Sequence, residues 1–168
     1  MIVLACEGAT EIELIRSLRN KGQLTFQDEI LFDDAMRIRQ LIDVKYAINL
    51  LPIDTDITVY RIGDTLNDKF SLKGFEARRS RIRVFDVCTM TEIEILVIIN
   101  EGLYQEYEKV KSEIRPKQFV KRHLKGWNPK EYFEENNMIN ALKEYKRLKG
   151  KTHGRLQYCL YDLISHKI

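Results

Sequence analysis

The chain reads as an α/β domain: a mostly parallel central sheet flanked by helices, with additional helices towards the C-terminus. Three observations lead to this. Apolar, β-branched runs at 2–5, 57–62 and 81–87 are separated by longer stretches with helical spacing of apolar residues, the pattern of strands joined by crossover helices. The first run, Ile2-Val3-Leu4-Ala5, is continuously apolar, as a buried strand is. Two of the runs stop at an acid beside a glycine, Glu7-Gly8 and Gly63-Asp64. Acids there would sit at the carboxyl edge of the sheet, where open α/β folds build their sites.

At 168 residues the chain is expected to form one domain, with a motif-bearing part over 1–102 and a basic, helical part over 103–168. It is 44% hydrophobic and 32% charged, ordinary for a soluble protein, and no apolar run approaches membrane-spanning length. The first residues lack the basic segment of a signal peptide, so the default location is the cytoplasm. The three cysteines are far apart and show no Cys-x-x-Cys pairing, which argues against a thiolate zinc site. They read as small buried hydrophobes, and the three histidines as surface residues.

The helix after the first strand spans 11–20, with Thr10 as its cap and Glu13 at the capping-box position. Gly8 permits the turn between them. A short strand at 29–34 leads into a second helix over 35–51, capped by Asp34 and ended by Pro52. The segment 57–62 is a strand by propensity. Residues 70–79 read as a loop or short helix, and 81–87 as another strand, with Asp86 near its end either pairing with a neighbouring arginine or serving a metal site as a ligand or its support. Thr91 and Glu94 form a capping-box pattern at the head of a largely buried helix over 91–100. Residues 117–126 form a short basic helix or loop. Asn128-Pro129-Lys130-Glu131 is a helix start, and the apolar spacing carries that helix to Lys149. The segment 156–164 reads as a final helix, with a strand as the alternative.

Glu7 and Glu11, beside a helix N-terminus, form a corner of a divalent-metal site, or else Glu11 complements the helix dipole and Glu7 is a solvated turn residue. Asp64 repeats the placement of Glu7. Oxygen ligands without usable Cys or His favour Mg²⁺ or Mn²⁺ over zinc. The net charge is only +3, yet the basic residues cluster. Arg78, Arg79, Arg81 and Arg83 fall together, and 109–125 holds Lys117, Lys121, Arg122 and Lys125 among others. Such clusters supply phosphate contacts to nucleic acid or form a solvated face. Aromatic residues among them, Tyr104, Tyr107, Phe119 and Trp127, either stack on bases or pack in the core.

A strand that ends in Glu7-Gly8-Ala9-Thr10-Glu11 resembles the opening motif of TOPRIM-type domains. It is most similar to the small TOPRIM-like proteins of bacterial phage-defence loci, the RloB-like and OLD-nuclease-like groups. The resemblance implies magnesium held by the N-terminal glutamate and by an Asp-x-Asp pair after a later strand. Here that pair departs from the pattern. Asp64 and Asp68 stand at the expected strand end but are spaced Asp-x-x-x-Asp, whereas the literal Asp54-x-Asp56 precedes its strand. Thr91-Glu92-Ile93-Glu94-Ile95-Leu96 is similar to the family's later helix, without its tryptophan, and carries over Glu94, with Glu92 as the other choice. The expectation is a metal-dependent nuclease acting on DNA or RNA, with Glu7, Glu11, Asp64, Asp68 and Glu94 at the reaction site. The alternative is a catalytically degenerate TOPRIM-like module that binds nucleic acid or a partner ATPase. The oligomeric state stays open, a homo-oligomer included. A nucleotide phosphotransferase ranks last, because no Gly-x-x-x-x-Gly-Lys-Ser/Thr loop is present.

Overall fold

A computed structural model of the chain describes residues 1–26, 29, 35–64, 70–88, 92–149 and 158–165. Its centre is a four-stranded, all-parallel sheet in the order β2-β1-β3-β4, formed by β1 (Ile2–Cys6), β2 (Met36–Arg37), β3 (Ile57–Gly63) and β4 (Ile82–Cys88). This is the α/β architecture expected. β1 is flanked on both sides, which explains why its five residues are all buried.

The alternation of strand side chains divides the core in two. Ile2, Leu4, Cys6 and Ile62 face one cluster, with the helices α1 (Ala9–Asn20), α3 (Glu94–Asn100), α5 (Pro116–His123) and α7 (Ile139–Lys149). Val3, Ala5, Ile57, Val59 and Ile82 face the other, covered by Ile38, Leu41, Val44, Ile48 and Phe75. α4 (Tyr104–Val110) and α6 (Pro129–Glu135) complete the first layer. Phe133 of α6 is fully buried there. The Ser17 hydroxyl and the Lys21 ammonium of the α1 end both donate to its carbonyl.

The expected helix over 35–51 is corrected. β2 takes its start, followed by a 3₁₀ turn at Leu41–Val44 and a short helix α2 (Lys45–Asn49). Arg37 and Met36 pair with β1 instead of coiling, because the free edge of β1 offers ladder partners that a helix in isolation lacks. Of the apolar residues in this segment, Ile38, Leu41 and Ile48 are buried, but Met36, Ile42 and Leu50 are exposed. The strand expected at 29–34, Glu29 apart, lies outside the described residues, and so does Asp34, the expected cap of the helix.

The long C-terminal helix is also corrected. It breaks into α6 and α7 at Asn136–Met138. Asn136 Nδ2 donates back to the Tyr132 carbonyl (2.9 Å), and Asn137 Oδ1 accepts from Ile139 N (3.1 Å). Short amide side chains compete with the helical ladder in this way. The predicted start is as expected, with Asn128 Oδ1 accepting from Lys130 N. The final segment is not a helix of the expected length. Tyr158 bridges Val87 in parallel, a 3₁₀ turn spans Leu160–Leu163, and Ile164 bridges Leu24. Cys6 is buried, while Cys88 and Cys159 are half-buried.

Arg78 is a structural residue. It is buried within a 3₁₀ turn (Glu76–Arg81), and its guanidinium donates to the carbonyls of Leu51 and Pro52 (2.7 Å to Pro52) beyond the end of α2. It is therefore not available to a nucleic-acid phosphate. Arg78→Met should cost about 2 kcal/mol of folding stability, because two carbonyls lose a charged donor. Urea unfolding checks this, and a change within about 0.5 kcal/mol would remove Arg78 from this role.

Candidate active site

Glu7 follows β1 directly, and its N–H extends the ladder to the Ile62 carbonyl (2.9 Å). Asp64 follows the last residue of β3, the neighbouring strand. Both therefore stand at the carboxyl edge of the sheet. Together with Glu11 of α1, Glu92, Glu94 of α3 and Lys117 of α5 they line one open cleft of about 320 Å³. Four of the five expected reaction-site residues are thus brought together. The fifth, Asp68, lies outside the described residues, as does Thr91.

The N-terminus of α1 is built differently from the expectation. Gly8, not Thr10, is the N-cap, and it is extended (φ −126°, ψ 170°). Glycine lets the Glu11 carboxylate pack against the backbone there: a Cβ at position 8 would displace Oε2 of Glu11 from its present place. The Glu11 carboxylate thus folds back over the strand end that carries Glu7. Thr10 lies inside the helix, and its hydroxyl donates to Glu94 Oε1 (3.3 Å), tying α1 to α3 across the cleft. Glu13 pairs with Arg16 (2.8 Å) instead of closing a capping box.

The two inner carboxyls are unusual for their charge. Glu11 is 9% exposed and Glu94 only 3%. Burial raises the pKa of Glu11 above the ordinary carboxylate value, against its own backbone N–H, and the charges of Glu94, Asp64 and Glu7 raise it further. Burial likewise raises Glu94, with Glu92 adding to it, while its backbone N–H, Lys117 and Thr10 act in the opposite sense. Glu92 serves chiefly as a cap: its Oε2 accepts from Lys117 N (2.9 Å) at the start of α5.

The donor set is made of carboxylate oxygens, which suits a hard divalent cation in kind. Among the described residues no three His, Cys, Asp or Glu side chains close into one metal-holding group. Mg²⁺, however, is commonly bound through one or two carboxylates with substrate phosphates and water completing its shell. Glu7 and Asp64, which follow the ends of the adjacent strands β1 and β3, are the carboxylates such a mode would use.

The expected basic residues separate. Lys117 lines the cleft, whereas Lys121, Arg122 and Lys125 are exposed farther along α5 and beyond it. Arg78, Arg79 and Arg81 precede β4 and so lie at the opposite edge of the sheet, about 20 Å away along a seven-residue strand. Arg81 pairs there with Asp56 (3.2 Å). That pairing also removes the Asp54-x-Asp56 alternative, which belongs to the amino edge. Asp86 pairs with Arg61 (3.8 Å), as expected. Tyr107 and Phe119 pack edge to face in the core, and Trp127 is half-buried against Tyr132.

Three arginines at the carboxyl edge were not foreseen: Arg37, Arg39 and Arg61 line a second cavity that adjoins the cleft. The available signal was Arg61 inside the otherwise apolar run of β3, and the alternation Arg37-Ile38-Arg39, which has the period of a strand.

The raised carboxyls fix a pH dependence. In the window above the ordinary carboxylate pKa of about 4.3, the folded protein holds protons at Glu11 and Glu94 that the unfolded chain has released. Their contribution to stability is then greatest below that window and falls as pH rises through it. Glu11→Gln and Glu94→Gln should each raise the melting temperature at pH 7 and flatten its fall between pH 4.5 and 7. A melting series across that range checks this, and variants that melt below wild type at pH 7 would contradict it. No protein-family model, no curated protein and no solved structure matches this chain.

Proposed function

We propose that the chain is a divalent-cation-dependent nuclease, using Mg²⁺ or Mn²⁺ to hydrolyse phosphodiester bonds of DNA or RNA. The observation that carries this reading is the meeting of Glu7, Glu11, Asp64 and Glu94 with Lys117 in one open cleft at the carboxyl edge of a parallel sheet. The opening motif's resemblance to TOPRIM-like proteins supplies the expected setting, bacterial phage defence.

Each side chain has a chemical task in this reading. Glu7 and Asp64, on adjacent strand ends, would hold the cation, which supplies charge neutralisation and an activated water at neutral pH. Lys117 faces the same space and would offset negative charge on the phosphate as it becomes five-coordinate. Glu11, with its pKa raised by burial and by its acidic neighbours, would exchange a proton with the attacking water. Glu94, held by Thr10, would fix the α1–α3 side of the cleft.

A second reading is favoured by one observation: the described carboxylates do not close into a three-ligand metal group. The chain would then be a degenerate module that binds nucleic acid or a partner ATPase.

Incubation of a panel of single- and double-stranded DNA and RNA with Mg²⁺ or Mn²⁺ separates the two. The nuclease reading expects metal-dependent cutting that Glu7→Gln abolishes and that Glu11→Gln slows by about 100-fold or more. No cutting, with no metal-dependent rise in melting temperature, selects the degenerate module.

A further inference from the structure

The second cavity at the carboxyl edge has a chemistry of its own. It encloses about 270 Å³ on the sheet face opposite α1 and α3, and it is lined by Ala5, Glu7, Ile38, Arg37, Arg39 and Arg61 among others. Glu7 and Arg37 line both this pocket and the acidic cleft, so the two share a rim. Glu7 is the only carboxylate among the described residues lining the pocket, against three guanidinium groups.

The arginines are held in place by their surroundings. Arg61 pairs in register with Ala5 of β1 and Asp86 of β4, and it is nearly buried at 9% exposure. A charge in a buried parallel strand is costly unless it is well supported. Here Asp86 lies 3.8 Å from Nη1, and the Phe70 ring lies 5.8 Å from the guanidinium carbon. The small side chain of Ala5 leaves space open above this strand position. Arg37 Nε donates to the Glu7 carbonyl (3.1 Å), which sets its guanidinium on the shared rim. Arg39 enters from the turn after β2, which Asp43 fixes by accepting from the N–H groups of Arg39 and Gln40 (3.0 Å each).

We propose that this pocket binds a phosphate group of the nucleic-acid strand, adjacent to the phosphate that enters the acidic cleft, through Arg37, Arg39 and Arg61. The naming of nucleic acid as ligand rests on the nuclease reading above. Guanidinium forks match the oxygens of a phosphate, and planar bidentate recognition is what arginine offers over lysine. The volume admits a phosphate together with part of its sugar. The shared rim lets one strand place a phosphate on each side of Glu7. The carboxylates then act on the reacting phosphate through a cation, while the arginines grip its neighbour without one. The pocket should therefore hold nucleic acid even when metal is withheld.

The test is fluorescence anisotropy of 20-nucleotide DNA and RNA strands, labelled at the 3′ end, in EDTA over a series of salt concentrations. Wild type is compared with Arg39→Glu, an exposed position, and with Lys143→Glu on α7, which makes the same charge change outside the pocket. Arg39→Glu is expected to weaken binding about tenfold or more. It should also reduce the slope of log K against log salt by about 0.7 for each phosphate that the variant no longer neutralises. Lys143→Glu is expected to bind within about twofold of wild type. Arg61→Met, with its fold checked by circular dichroism, should weaken binding in the same way. Strands with a 5′-phosphate and a 5′-hydroxyl that bind alike assign the pocket to internal phosphodiesters, and a preference for the phosphorylated strand assigns it to ends. If Arg39→Glu and Lys143→Glu bind alike, the proposal is overturned. This outcome is separate from the cleavage assay. Cutting without Arg39-dependent binding leaves the nuclease and removes the pocket, and Arg39-dependent binding without cutting does the reverse.

Discussion

The structure depends on β1 being an interior strand, paired in parallel with β2 on one side and β3 on the other. An interior parallel strand must present apolar residues to both faces, and its five residues leave no room for polarity until it ends. Its first polar side chain, Glu7, therefore emerges at the carboxyl edge. Parallel pairing then brings the end of β3 to the same edge, and with it Asp64. The crossover through α1 returns over the same end, so Glu11 arrives from above. The acidic cleft is thus a consequence of strand direction more than of any local motif.

The same strand divides two kinds of chemistry. On the α1–α3 face the edge carries carboxylates, two of them raised in pKa by burial. On the opposite face it carries Arg37, Arg39 and Arg61. Opposite charges facing across a short strand end lower the cost of concentrating either sign. They also suit a ligand that is itself a row of anions, part of which must be met through a cation and part directly. Glu7 and Arg37 stand where the two meet.

The amino edge of the sheet has a different role. Arg81 and Asp56 neutralise each other there, and Arg78 terminates the α2 segment by serving two carbonyls. An arginine run in a sequence is equally compatible with phosphate binding and with such capping. The partners decide between them: the Arg78 guanidinium is committed to two backbone carbonyls, whereas Arg61, though nearly as buried, lines a cavity.

The fold class, the extents of β1, β3 and β4 to within a residue or two, and the placement of Glu7 and Asp64 at strand ends were legible in the sequence; that Glu11 and Glu94 meet them in one cleft was decided by the fold. The legible part follows from local pattern: continuous apolar runs, and acids placed next to glycine at strand ends. Tertiary structure alone decided the remainder. Residues 35–51 have helical composition, yet the open edge of β1 drew Met36 and Arg37 into the sheet. The Asn136-Asn137 pair broke a helix that apolar spacing alone would have continued. Gly8 leaves room for the Glu11 carboxylate in its present position, a contact between side chain and backbone that no turn rule encodes. The three arginines of the second cavity come from β2, the following turn and β3, and only the pairing of those strands across β1 brings them together. Spacing along a chain records which face a residue occupies; it does not record which distant face it will meet.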